Sequence, residues 1–176
     1  MDRLDQLIAS AGFADFRWTD GSKIAVAHWV RMKCTYACDA YGRKANCPPN
    51  VPPVEDCVRF FADYERIAVI HMRVPGCDEA GLTAWKQETN TKLLALERDV
   101  FLAGYYKAMA LFSGTCSACA DCVGTRADCL HPKDSRPTPE SLAMDVFATA
   151  RGLGYPIEVL TDRSQTMDRY AFLLVE

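Results

Sequence analysis

Seven of the nine cysteines in this chain fall into two short runs. The first is Cys34-x3-Cys38-x8-Cys47, followed by Pro48-Pro49. The second is Cys116-x2-Cys119-x2-Cys122-x6-Cys129, with Pro132 three residues on. Thiols concentrated in this way point to a soft metal rather than to an ordinary core. Three of them at i, i+3 and i+6 suit three corners of a cubane. The second run is close to the bacterial ferredoxin spacing, which wraps a four-iron, four-sulfur cluster. Cys129 is the candidate for the fourth corner, although six residues rather than three separate it from Cys122. Zinc is the alternative, held by all four of these thiolates or by three of them with His131.

The first run offers Cys34, Cys38 and Cys47 and no evident fourth thiol. Two arrangements are open. Cys57, ten residues beyond Cys47, completes a second four-cysteine set, or the site keeps three protein ligands and leaves one metal position free. Cys57 also reads as a small buried hydrophobe beside Val58 and Phe61, and Cys77 reads as an unligated loop cysteine. The basic residues Arg31, Lys33, Arg43 and Lys44 are either a solvated face or compensation for an anionic cluster and its docking patch. Arg126, Lys133 and Arg136 are expected to moderate the charge at the second run. His28 and His71 lie in apolar stretches and read as hydrogen-bonded core histidines. Tyr36 and Tyr41 are expected to pack over the metal loop.

The rest of the chain must position these loops. Leu4, Leu7, Ile8 and Ala11 recur at helical spacing before Gly12. A short strand is expected within Phe13–Trp18, and the apolar run Ile24–Met32 reads as strand in its second half, delivering the chain to Cys34. Helix is predicted for Val54–Tyr64, strand for Arg66–Val74, a long helix for Glu79–Ala103 and strand for Tyr106–Phe112. Thr138-Pro139 is a helix start, with Leu142, Val146, Phe147 and Ala150 inward. Strands at Pro156–Thr161 and Arg169–Val175 close the chain. This order predicts an α/β fold: a single domain over residues 1–176 with a mixed, partly parallel sheet and crossover helices. Two cysteine-rich metal-binding loops, at about 34–53 and 113–137, are expected on one rim of the sheet.

With 176 residues, 49% hydrophobic and 24% charged, the chain can bury an ordinary core. A net charge of −3 argues against a general nucleic-acid binder. No stretch approaches the roughly 20 apolar residues of a membrane span, and the N-terminus lacks a signal-peptide run. A cytoplasmic location is expected, where thiols stay reduced and an odd number of them favours metal over disulfides.

Taken together, the stretch Trp29-Val30-Arg31-Met32-Lys33-Cys34, Cys38, Tyr41-Gly42-Arg43-Lys44 and Cys47-Pro48-Pro49 resembles the signature of the prokaryotic DUF2284 family. So do Cys116-x2-Cys119-x2-Cys122, His131-Pro132, Arg136-Pro137 and the helix from Pro139 through Asp145-Val146. The resemblance runs from about Val30 to Phe172. It implies metal ligation at the matching cysteines; the family is found largely in anaerobes and has no general assigned reaction. Its first run has three cysteines, so neither Cys57 nor Cys77 inherits a role. No phosphate loop, nucleophile elbow or dinucleotide fingerprint is present. The expected function is therefore an iron–sulfur protein with one or two [4Fe-4S] clusters that passes electrons to a redox partner protein. An enzyme or cofactor-handling accessory with an open iron, and a redox-inert zinc module, are the alternatives. Cluster loops often sit at interfaces, so a homodimer is one expected arrangement.

Overall fold

The computed structural model describes residues 2–162 and 164–176. Helix α1 (Arg3–Ser10) opens on a reciprocal cap between Asp2 and Asp5 and buries Leu4 and Ile8, one turn apart. Gly12, at φ +90°, turns the chain out of it. The sheet has four strands: β1 (Phe16–Thr19), β2 (Ile67–Val74), β3 (Met109–Leu111) and β4 (Met167–Leu174), in the order β1-β2-β4-β3. Every pairing is antiparallel, and β2 and β4 match over their full length, from Ile67 opposite Leu174 to Val74 opposite Met167.

Alternation along the central strands builds two cores. Ile67 and Val69 of β2, with Tyr170, Phe172 and Leu174 of β4, face Cys57 and Phe61 of α3 (Val54–Ala62) and Ala150 of α5 (Val146–Gly152). Ala68 and Ile70, with Ala171 and Leu173, face α1 and the Leu93, Leu96 and Val100 stripe of α4 (Glu79–Leu102). Each large apolar side chain sealed in this way contributes about 1.5–3 kcal/mol. The sheet is thus a middle layer with helices on both faces.

The sheet is antiparallel, which corrects the partly parallel one expected. The crossover was sound: β2 and β3 run in the same direction and α4 connects them. However, β4 inserts between them, so no parallel pair forms; this is a split β–α–β arrangement. A second correction concerns 28–37, which is helix α2 (His28–Ala37) and not strand. Only Val30 of α2 is buried, and Trp29, Met32 and Tyr36 face outward, so the apolar run carries no strand ladder. The segment expected as one helix from Pro139 is broken. A short 3-10 turn spans Glu140–Leu142, Ala143 takes φ +60°, and Asp145 starts α5 afresh by accepting from the Ala148 N–H. Pro156–Thr161 is irregular, not a strand. Among the described residues, no helix is long and apolar enough to cross a membrane.

Candidate metal centre

The second cysteine run hangs from the end of β3 and is clamped shut at its base. The Phe112 N–H donates to the Pro137 carbonyl at 3.0 Å. Arg136 forks onto Glu97 of α4, with Nε to Oε2 at 2.8 Å and Nη2 to Oε1 at 2.6 Å, and Glu97 Oε2 also accepts from the Ala110 N–H of β3. Arg136 is therefore committed to Glu97 and holds the loop in place; it was expected to balance cluster charge. Inside the loop, Cys116, Cys119, Cys122 and Cys129 line one small cavity of about 10 Å³, together with His131.

The first loop supplies the other wall of that cavity, through Lys44, Ala45 and Asn46. The Ala45 N–H donates to Cys122 Sγ at 3.3 Å. The Asn46 side-chain amide donates to the Arg136 carbonyl at 2.6 Å, and that of Asn50 to the Gly124 carbonyl at 2.7 Å. The two loops, distant in sequence, are docked together. Electrostatics differ across the cavity. Burial and then the neighbouring thiols of Cys122, Cys116 and Cys129 push the Cys119 thiol up. Burial also works to raise Cys122, but the N–H groups of Gly124 and Ala45 and the charge of Lys44 outweigh it and hold that thiol below its ordinary value.

The first run is built differently. Cys34 lies in the last turn of α2 and Cys38 just past its end, so the helix that replaces the expected strand sets them one turn apart on one face. The segment 38–53 then folds back through turns, with Gly42 at φ +70° donating to the Pro48 carbonyl, and returns Cys47 to a buried position. Burial, with the nearby Cys34 and Cys38 sulfurs adding to it, pushes the Cys47 thiol up to about 11. Burial, then Cys38 and Glu140, raise Cys34. Cys38 thus stands near enough to both Cys34 and Cys47 to act on them.

Cys57 does not join them. It is fully buried on α3 in the apolar cluster, its sulfur 3.7 Å from the Pro52 carbonyl, and no cysteine contributes to the upward shift that burial gives it. Cys77 lies beyond β2, against Gly81 at the start of α4. Two aromatic expectations are corrected: Tyr36 is 79% exposed and Tyr41 39% exposed, so neither seals a loop. His28 is also exposed, 3.4 Å from Glu55, and not in the core. Arg31 is tied to the carbonyls of Pro52 and Ser141 and is part of the scaffold. Among the described residues, no three His, Cys, Asp or Glu side chains form a group that could hold a single metal ion. The second-run thiols stand around a cavity.

A larger pocket, of about 660 Å³, lies beside the first run, with Cys34 and Cys38 in its wall. It occupies the sheet rim where β3 ends and β4 begins, through Ser113, Gly114 and Asp168. Behind Asp168, His71 is held between two carboxylates: Nε2 is 2.7 Å from Asp168 Oδ1 and Nδ1 is 2.7 Å from Asp15 Oδ2. Its ring stacks on Tyr170 at 5.1 Å. His71 is thus the satisfied buried histidine expected. Asp15, Asp168 and the pocket cations Lys86 and Arg169 had no signal in the sequence, because strand pairing and helix packing bring them together.

The family model described as predicted metal-binding protein (DUF2284) matches residues 17–175. The chain belongs to the DUF2284 family. The match extends the resemblance read from the two cysteine motifs across the whole sheet, from β1 to the end of β4. No curated protein and no solved structure matches it.

Proposed function

We propose that this DUF2284 protein is an iron–sulfur protein carrying a [4Fe-4S] cluster on Cys116, Cys119, Cys122 and Cys129 and a second cluster on Cys34, Cys38 and Cys47, passing electrons to a redox partner. The observation that carries this is the four-thiol cavity with the Ala45 N–H already donating to Cys122 Sγ. A cluster asks each thiolate to hold a different iron around a small volume, which a thiol-lined cavity suits. N–H groups aimed at sulfur tune a cluster's potential. When bound, the clusters supply one-electron transfer. The chain's part is to exclude water and fix the donors. Lys44 moderates the charge that Arg136, engaged with Glu97, does not. The reading places the protein in a reducing compartment such as the cytoplasm, away from nucleic acid and membrane.

A second reading is favoured by one observation. Cys34 and Cys38 border a substrate-sized pocket while Cys57 is turned into the core. A cluster with three thiolates there keeps a metal position free for a ligand. Anaerobic purification with metal analysis tests both. Brown protein that bleaches with dithionite and holds about eight irons and eight sulfides per chain supports two clusters. The count should survive Cys57→Ala and fall by about half in Cys119→Ala. Colourless protein with stoichiometric zinc overturns the iron–sulfur reading.

A further inference from the structure

The pocket beside the first cysteine run is uneven in charge. Four carboxylates reach its lining, and three are already used. Asp168 is hydrogen-bonded to His71, Asp145 caps α5, and Glu158 lies 3.8 Å from Arg151. The fourth, Glu140, stands beside Cys34. The lining cations are Lys86, Arg169 and Lys33, whose ammonium lies 5.6 Å from the centre of the Trp29 ring. Lys86 and Arg169 sit close enough for Arg169 to depress the Lys86 amine, after burial, which is the larger cause, while the Glu79 carboxylate works against both. Arg169 Nε is shut off from water with no hydrogen-bond acceptor among the described residues, and Nη2 reaches only the Met167 sulfur, at 3.3 Å. Two half-buried like charges facing one cavity repel each other. The Lys86 stem lies over Gly114, where even a methyl group would stand 3.0 Å from its Cδ, so the amine is held at this corner. The lining also has an apolar part, from Val30, Met144, Phe147 and Ile157.

We propose that this pocket binds a small organic anion, its carboxylate or phosphate on Lys86 and Arg169 and its apolar body against the Val30–Phe147 wall. A guanidinium fork beside an ammonium is the usual donor set for either head group, and the volume suits a metabolite-sized ligand. Cys34 and Cys38 lie in the same wall, so the anion's far end stands next to the first run. Only this last placement rests on the function proposed above.

The test uses anaerobically isolated full-length protein with its iron counted, and pyridoxal 5′-phosphate as an anionic probe. The Lys86 amine condenses with the aldehyde, water leaves, and borohydride reduces the imine to a stable amine that mass spectrometry maps. Lys86 should be labelled about tenfold faster than the other lysines, and pyridoxal, which lacks the phosphate, should lose that preference. Inorganic phosphate and benzoate should each slow the reaction, and the stronger competitor identifies the head group preferred. Arg169→Gln and Gly114→Ala should each cut Lys86 labelling about fivefold or more. Equal labelling by both aldehydes in the unmutated protein overturns the proposal whether or not the variants fold. Iron-free protein that still labels selectively at Lys86 keeps the anion site and removes the cluster reading. Iron-loaded protein without that selectivity does the reverse.

Discussion

Removing the carboxylate of Glu97 should unfasten the second cysteine loop. This one side chain accepts two bonds from the Arg136 fork and a third from the Ala110 N–H, tying the loop base to both α4 and β3. The Arg136 and Glu97 side chains are 20% and 13% exposed, so the pair belongs closer to the buried class than to surface pairs worth about 0–1 kcal/mol. Breaking a buried pair from one side costs about 3–5 kcal/mol, because the surviving charge stays in place without its partner. Arg136 retains some solvent and the carbonyls of Lys133 and Ser135, which argues for the lower end, about 3 kcal/mol. Glu97→Gln keeps the shape and one acceptor and should cost less, about 1–2 kcal/mol. Urea unfolding of the metal-free, reduced protein reads the difference. With a slope of about 1–3 kcal/mol per molar, Glu97→Ala should lower the midpoint by about 1–3 M. On the iron–sulfur reading proposed above, the variant should also release iron to a chelator faster than the parent. A Glu97→Ala loss below about 1 kcal/mol would refute the argument that this pair fastens the loop.

Two glycines give opposite predictions. A Cβ on Gly21 would stand 1.7 Å from the Phe61 carbonyl oxygen, a backbone atom that cannot step aside, whereas one on Gly152 of α5 meets nothing within 4 Å. Gly21→Ala should cost about 3 kcal/mol or more and Gly152→Ala should gain about 0.5–1 kcal/mol, compared by thermal melting; similar effects at the two sites would contradict the packing described. On the alkaline side, burial pushes the Tyr155 and Tyr170 phenols far above their ordinary value, and at Tyr155 the bond to Asp15 adds to it. A raised folded-state value means their contribution is complete below about pH 10 and is lost as pH climbs above it. Phenolate absorbance should therefore show two tyrosines ionising only as the far-UV circular dichroism is lost. Full titration near pH 10 with the fold intact would show the rings to be accessible.

Much of the fold was legible in the residues. A continuous apolar run marked β2, helical spacing marked α1 and α4, Pro53 stood at the start of α3, and Gly12 follows the end of α1 as expected. The misreadings have specific causes. The Ile24–Met32 run is apolar without a decisive period, and what makes 28–37 helical is that only Val30 faces the core while Ala25–Ala27 pairs with Ala143–Asp145. The break inside the expected Pro139 helix was announced by Asp145, a good N-cap passed over as a helix interior. Sheet direction was not legible, because a continuous apolar run fits a strand buried on both faces whichever way its neighbours run.

By itself the sequence determined the chemistry available. Soft donors in two tight groups are fixed by covalent spacing, and no packing is needed to know that Cys116, Cys119 and Cys122 stay near one another. Tertiary structure decided which groups meet. It sent Cys57 into the hydrocarbon of α3, laid the Ala45 N–H on Cys122, gave Arg136 to Glu97, and set Lys86 beside Arg169. The reason is physical: spacing within a loop is a local constraint, whereas a neighbour 77 or 39 residues away is chosen by how sheet and helices bury their apolar faces.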